Sequence, residues 1–367
     1  MIPLCIPEIR GNEWKYVKDC IDTNWVSSVG SYVNLFEEKF CEYVGSKSAV
    51  VTMNGTAALQ LALMTLNIGA GDEVIVPSLT FISPINTIKY VGAEPVFVDV
   101  CRDTFVMDAE KLEEMITPKT KAIMPVHIYG HPVDMDRVME IAKKHNLYVI
   151  EDATESLGSK YKGKMAGTIG DMGCYSFNGN KLITTGAGGM FVTNNPKHGD
   201  RAKFLSTQTK VVTDNKAFYH PEVGYNFRMP NLLAAFGVAQ LENIEQYLKI
   251  KKQNAAEYNK LLAEVCGITI PAERENVENC FWLYSILVED EYGISRDELI
   301  KILNEQKIEA RPFFMPIHDM PPYKANKHGD LSITKELYAR GINLPSSVGL
   351  KSEDIKMVCE LIKNSKK

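Results

Sequence analysis

The tract from Gly173 to Gly186 presents one lysine, Lys181, between two apolar stretches. Residues 172–177 read as a short strand, Asn178-Gly179-Asn180 as a turn, and residues 190–193 as a second strand beyond a flexible Thr- and Gly-rich run. A lysine on a turn between buried strands is partly desolvated, which lowers its pKa and frees the amine to form an imine with a carbonyl. Glu151-Asp152-Ala153-Thr154-Glu155 sets carboxylates at the end of a stretch otherwise made of Leu147, Tyr148, Val149 and Ile150. A buried Asp152 there requires a cationic partner, although by itself it also suits a helix N-cap. Asn54-Gly55-Thr56-Ala57-Ala58 joins a strand to a helix. Small residues at such a junction pack closely, or let backbone N–H groups and the helix's positive end reach an anion, with the Thr56 hydroxyl as a further donor. Phe81, in Thr80-Phe81-Ile82-Ser83, offers a ring for stacking on a flat ligand or for core packing.

An anion cup, an aromatic ring, a buried aspartate and a later lysine, in that order on an α/β sheet, describe a pyridoxal phosphate site. The lysine forms the imine, the aspartate keeps the ring nitrogen protonated, and the ring serves as electron sink. There is no GxGxxG fingerprint and no Walker loop, which argues against a dinucleotide or an ATP γ-phosphate. His127 and His131 are four residues apart, but at a strand end and in a turn, so no metal is expected. Cys174, inside a strand, reads as a small core residue.

These residues hang on a regular alternation. Strands at 49–52, 74–77, 95–99, 122–126 and 147–152 alternate with helices at 56–66, 84–90, 109–116 and 135–145, after helices at 13–21 and 32–44. This predicts an α/β fold with a mostly parallel central sheet covered by helices, ligands gathering beyond the carboxyl ends of the strands. A helix from 230 to 247 continues with breaks towards 264, and the pattern then changes. A long strand at 280–288, a capping box at Ser295-Arg296-Asp297-Glu298, a strand at 308–314 and a helix at 352–364 follow. The division expected is a large domain at 1–245 and a small α+β domain at 246–367.

At 367 residues, 45% hydrophobic and 24% charged, the chain has an ordinary globular composition with room for one large and one small domain. A net charge of -5 without a basic block gives no electrostatic case for nucleic acid or an anionic membrane. Eight cysteines without a CxxC pair suggest reduced thiols, and no apolar run is long enough to span a bilayer, so a cytoplasmic protein is expected.

With these motifs the chain resembles the DegT/StrS family of nucleotide-sugar aminotransferases, which have the fold-type I aspartate aminotransferase architecture. The resemblance runs from Asn24-Trp25-Val26-Ser27 to Asn343-Leu344-Pro345. Its most specific tracts are Asn54 to Ala58, Pro125-Val126-His127-Ile128-Tyr129-Gly130, Glu151-Asp152-Ala153, Ser176-Phe177-Asn178-Gly179-Asn180-Lys181 and Gly224-Tyr225-Asn226-Phe227-Arg228-Met229. It implies pyridoxal 5'-phosphate as cofactor, passing through pyridoxamine phosphate, with Lys181 as the imine lysine and proton shuttle and Asp152 on the ring nitrogen. Gly55, Thr56, Ala57 and Ser176 would bind the cofactor at its phosphate, and Phe81 would stack on the ring. Glu155 lies where the family commonly has Gln near the ring hydroxyl, Asn178 where many members have His, and Ala187 where Glu is frequent. Asn226 and Arg228 would enter from a neighbouring subunit, making the active form a homodimer, and His318 would lie near the sugar.

The tracts around Glu155 and Asn178 look most like the legionaminic acid and related diamino-sugar branch. That branch moves an amino group, with L-glutamate the expected donor, to C4 of a UDP-linked 2-acetamido-2,6-dideoxy-4-ketohexose. The alternative is the perosamine branch, acting on a GDP-linked 4-keto-6-deoxymannose. A pyridoxamine-dependent sugar dehydratase, which typically carries His at the lysine position, and a non-catalytic cofactor-binding regulator are disfavoured by the presence of Lys181 and Asp152.

Overall fold

In the large lobe, short runs apolar on both faces form a seven-stranded sheet, because only a sheet covered on both sides can bury strands such as Val74-Ile75-Val76 completely. The structure, a computed structural model, describes residues 1–213 and 216–366. The strands are β1 (Ser48–Thr52), β2 (Glu73–Pro77), β3 (Glu94–Val98), β4 (Thr120–Ile123), β5 (Tyr148–Asp152), β6 (Met172–Ser176) and β7 (Gly189–Thr193). Their spatial order is β1-β7-β6-β5-β4-β2-β3. Neighbours from β6 to β3 pair in parallel, whereas β7 runs antiparallel to both β6 and β1. The fold class expected from the sequence is thus the one observed.

Helices α1 (Glu13–Asp22) and α2 (Ser31–Val44) pack against α8 (Asn231–Leu241), and α3 (Gly55–Thr65) lies on β6 and β7. α3 is apolar on nearly every side and buried accordingly at Leu59, Leu61, Ala62 and Leu63. α4 (Ser83–Tyr90) follows β2, and α6 (Met135–His145) runs from an Asp134 cap to a left-handed Asn146.

A second, smaller core surrounds a four-stranded antiparallel sheet of β8 (Ile268–Thr269), β9 (Tyr284–Val288), β10 (Arg311–Pro312) and β11 (Gly341–Leu344), in the order β8-β9-β11-β10. α9 (Ile244–Leu262) bridges the two cores. Its Ile244, Tyr247 and Leu248 belong to the large one, and its Ala255, Tyr258 and Leu262 to the small one. α10 (Arg296–Glu305), with the expected Ser295/Glu298 capping box, and α12 (Ser352–Ser365) complete the small lobe. Residues 2–6 belong to both lobes. Ile2 pairs with the small lobe through Lys307 and Glu309, Leu4 N–H donates to Glu309 Oε2, and Ser346 N–H donates to the Leu4 carbonyl.

Four expectations change. The 280–288 strand begins only at Tyr284, because Phe281 adopts φ 50° and the Cys280 N–H is taken by Ser159 Oγ (3.0 Å). The 308–314 strand shrinks to Arg311–Pro312. The 109–116 helix is a 3-10 turn, Ala109–Lys111, followed by the single α turn α5 (Leu112–Met115). The helix from 230 breaks at Glu242-Asn243, between α8 and α9. Helices α7 (Pro196–Ser206) and α11 (Ser332–Arg340) and strand β11 have no counterpart in the sequence reading. Among the described residues no helix is long and apolar enough to cross a membrane, and no His/Cys/Asp/Glu group is placed to hold a metal.

Candidate active site

Four turns at the carboxyl edge of the large sheet meet around a cavity of about 340 Å³. The β1–α3 turn brings Gly55 and Thr56, the segment after β2 brings Phe81, the end of β5 brings Asp152 and Glu155, and the segment after β6 brings Ser176, Asn178 and Lys181. Residues far apart in the chain converge because the strands that precede them are neighbours, or near neighbours, in one sheet. The carboxyl-terminal part of the chain supplies the facing wall, with Arg311 and Asn343 from the small sheet and Trp282 and Phe314, which pack with the large core.

The Lys181 amine lies 3.6 Å from Glu155 Oε1 and 3.6 Å from the centre of the Trp282 ring. Its side chain is only 13% exposed, and burial lowers its pKa against the opposing pull of Glu155 and Asp152. Burial also pushes the Glu155 carboxyl up to about 7, opposed chiefly by Lys181. Burial therefore pushes both groups towards their neutral forms, which eases release of a proton from the amine beside a carboxyl that exchanges its own near neutrality. Glu155 Oε2 accepts from the Tyr129 backbone N–H (2.8 Å), and Tyr129 takes φ 53° and ψ 11°, left-handed values unusual for a bulky residue. The Tyr129 ring packs against Phe313 and Phe314, and its hydroxyl accepts from the Phe314 N–H (3.2 Å).

Asp152 is 2% exposed and accepts from the Thr154 N–H (3.1 Å). Burial raises its pKa, so its anionic form calls for a cation in the cavity. The adjacent Glu151, wholly buried, is satisfied by the backbone N–H groups of Gly167 (2.7 Å), Ile169 (2.7 Å) and Gly170 (2.6 Å) and by His127 Nε2 (3.0 Å). His127 Nδ1 accepts from the Val133 N–H, which leaves Nε2 as the donor to Glu151. Glu151 therefore anchors the 167–170 loop, while Asp152 addresses the cavity.

At the β1–α3 turn Asn54 caps the helix by accepting from the Ala57 N–H (2.8 Å), and Thr56 Oγ1 meets Ser83 Oγ at 2.9 Å. A Cβ on Gly55 would stand 2.9 Å from Ser176 Cβ and 3.0 Å from Thr154 Cγ2, so only glycine lets the turn pack this closely. The helix N-terminus and these hydroxyls offer the donors that an anion would need. Phe81 is half exposed and meets the Phe314 ring edge-on at 5.7 Å.

Four predicted residues lie off this wall. Ala57 uses its N–H on the Asn54 cap. Asn226 bridges to Thr207, and Arg228 lies by Glu37 Oε1 (3.8 Å) and the Ser28 carbonyl (3.3 Å). His318 is buried with Nδ1 2.7 Å from Ser78 Oγ. Of the two histidines set aside as metal ligands, His127 serves Glu151, and His131 Nδ1 donates to the Pro132 carbonyl (2.8 Å). Trp282 and Tyr129 have no part in the site read from the sequence. Trp282 sits in an apolar run that reads as core, and Tyr129 acts through its backbone, which no side-chain pattern reports.

The profile of the DegT/DnrJ/EryC1/StrS aminotransferase family matches residues 7–363. A GDP-perosamine synthase of Caulobacter vibrioides is 45% identical over 97% of this chain and 96% of its own length. A GDP-perosamine synthase of Escherichia coli O157:H7 is 45% identical over 98% of this chain and 97% of its own length. Among solved structures, Helicobacter pylori PseC, an aminotransferase involved in the biosynthesis of pseudoaminic acid, superposes with a TM-score of 0.94 at 25% identity, covering 99% of this chain and 98% of that one.

Proposed function

Because the chain belongs to the DegT/DnrJ/EryC1/StrS aminotransferase family, whose cofactor is pyridoxal phosphate, we propose that it transfers an amino group from L-glutamate to C4 of a GDP-linked 4-keto-6-deoxymannose. The observation that carries the choice of sugar is the 45% identity, over nearly the whole length, to two GDP-perosamine synthases. It favours the alternative weighed from the sequence over the UDP-linked diamino-sugar reading.

The residues present fit the cofactor. A buried carboxylate without a cationic partner of its own faces the cavity at Asp152, suited to a protonated ring nitrogen. The cradle at Gly55, Thr56 and Ser176, which a Cβ at residue 55 would fill, suits a phosphate. Lys181 would carry the covalent link, Phe81 would cover the ring, and Glu155 would stand near Lys181 and the ring hydroxyl. Bound there, pyridoxal phosphate supplies a carbonyl that exchanges amines and a ring that withdraws electrons from the carbon being deprotonated.

The chain's own part is proton traffic and orientation. The freed Lys181 amine would shuttle a proton within each half-reaction, off the α-carbon of the donor amino acid and onto the cofactor's aldehyde-derived carbon in the first, and off that carbon onto C4 of the sugar in the second, ending each with the charge it began with. Glu155, poised near neutrality, balances the charge that Lys181 gains and loses. Donor and acceptor use one site in turn, which predicts ping-pong kinetics.

The site as proposed is shared between two copies of the chain, Asn226 and Arg228 serving the partner's cavity. In support, neither residue lines its own chain's cavity, and Trp14, Ile21, Trp25, Val26 and Val29 expose an apolar surface that calls for a cover.

The test offers the purified protein, with pyridoxal phosphate and glutamate, a pool of UDP-, dTDP- and GDP-linked 4-keto-6-deoxy sugars and follows amine gain by mass spectrometry. Amination of the GDP sugar is expected. Exclusive conversion of the UDP-linked 2-acetamido sugar would overturn the choice of acceptor. No change in any sugar or in the cofactor would overturn the enzymatic reading itself.

A further inference from the structure

We propose that Trp282 is the seat for the Lys181 amine whenever that amine is not bonded to the cofactor, the indole face and Glu155 Oε1 holding it between them. This rests on the aminotransferase reading only in that Lys181 must leave and rejoin the cofactor in each cycle.

The amine lies 3.6 Å from the ring centre, closer than the roughly 6 Å within which an ammonium is drawn to an aromatic face. Trp282 is held from three sides. Its indole N–H donates to the Asn180 carbonyl (2.8 Å), in the residue preceding Lys181, so ring and amine belong to one hydrogen-bonded unit. Its own carbonyl accepts from the buried Lys251 amine (2.9 Å), which also donates to the Ser346 carbonyl. Its ring stacks near Tyr129, whose N–H holds Glu155. The Cys5 thiol donates to the same Asn180 carbonyl (3.2 Å), closing the unit on its far side.

The charged and titratable groups around Lys181 are Glu155 and Asp152 from the large lobe, Cys5 from the N-terminal segment, Arg311 across the cavity and Lys251 beneath Trp282. Burial alone would leave the free amine a weak base. The ring's negative face and the two carboxylates restore part of its proton affinity, which it needs to accept a proton from carbon.

The test uses the full-length enzyme loaded with pyridoxamine phosphate, in which Lys181 is free. Labelling with ε-13C-lysine gives the Lys181 methylene resonance, identified by its loss in Lys181→Ala, and titrating it against pH gives the midpoint of the amine. The wild-type methylene protons are expected to be shifted upfield by the indole ring current, less so in Trp282→Phe and not at all in Trp282→Leu. The midpoint is expected to fall in the same order, by about half to one pH unit for Trp282→Leu, a roughly three- to tenfold smaller ammonium fraction. An unshifted wild-type resonance, or equal midpoints in wild type and Trp282→Leu, overturns the proposal. Should Trp282→Leu fail to fold, the wild-type resonance and Trp282→Phe decide. A wild type that takes up no cofactor defeats the aminotransferase reading instead, and the same titration on the cofactor-free chain still decides the Trp282 contact.

Discussion

Replacing Glu155 by Gln removes one charge and almost nothing else. The amide oxygen can still accept from the Tyr129 N–H, and the side chain keeps its volume in a buried place. What disappears is the attraction between the Glu155 carboxylate and the Lys181 amine across 3.6 Å. At an effective dielectric constant of about 20, a pair at this range is worth about 4 kcal/mol, or about 3 pH units on the amine if the carboxyl were always ionised. Burial pushes the Glu155 carboxyl up to about 7, so the anion is not fully formed across the neutral range and the full effect is not reached. The expected fall in the Lys181 midpoint is therefore at least a resolvable fraction of that ceiling of about 3 pH units. The assay is the pH dependence of Lys181 arylation by trinitrobenzenesulfonate in the cofactor-free protein, read by peptide mass spectrometry. Glu155→Gln should react at lower pH than wild type. An unchanged midpoint would refute the idea that Glu155 sets the proton affinity of Lys181, and a raised one would reverse its sign.

Lys181→Ala should keep the fold yet lose the visible absorbance of lysine-linked cofactor; a variant that retained a covalent link would remove Lys181 from its role. Glu151→Ala leaves three backbone N–H groups and His127 Nε2 without their acceptor, and at about 1–3 kcal/mol for each unsatisfied group, eased by water at the partly exposed ones, should cost about 3–6 kcal/mol in urea unfolding. Hydrogen exchange at residues 167–170 should rise with it, and unchanged protection would deny Glu151 its anchoring role. Burial lowers the His131 pKa to about 4. Between the unfolded value of about 6.5 and that value the unfolded chain binds a proton that the native one refuses, so stability falls as pH falls, by about 3 kcal/mol in all. His131→Asn should lose that slope in urea midpoints taken at pH 7.5 and pH 4.5, and parallel curves would exclude the residue as its source.

The large lobe was legible because its strands are buried on both faces and read as apolar runs punctuated by Gly, Asn and Pro. Lys181, Asp152 and Gly55 stood out because a lysine, an acid or a glycine beside such a run demands an explanation. The small lobe was harder. The 280–288 run is apolar throughout, and nothing in it announces that Phe281 turns left-handed and that Trp282 leaves the strand to face Lys181. Tyr129 escaped for a related reason, since its contribution is an N–H aimed by a strained backbone. Arg228 and His318 came from the resemblance alone; in this chain they lie beside Glu37 and Ser78, off their own chain's cavity, as expected for Arg228 if it serves a partner. The short helix expected at 109–116 tightened to 3-10 geometry where Asp108 caps Glu110, a local bond that outweighs propensity.

The N-terminal segment that ties the two lobes together also orders events in time. Its bonds span separations of 305 residues for Leu4 with Glu309 and 341 residues for Ile6 with Ser347. On a ribosome adding about 5–20 residues per second, Leu4 waits about 15–60 s for its partner to be made, while the large sheet already has all its strands. Closure of so long a loop is slow, and it comes after the local pairs have formed. Leu4 lines the cavity and Cys5 grips the carbonyl beside Lys181, so this part of the cavity wall closes only after residues 309 and 347 have been made. A nascent chain that stops short of residue 309 has its lysine but lacks the wall from Arg311 to Asn343, and should hold the cofactor less well.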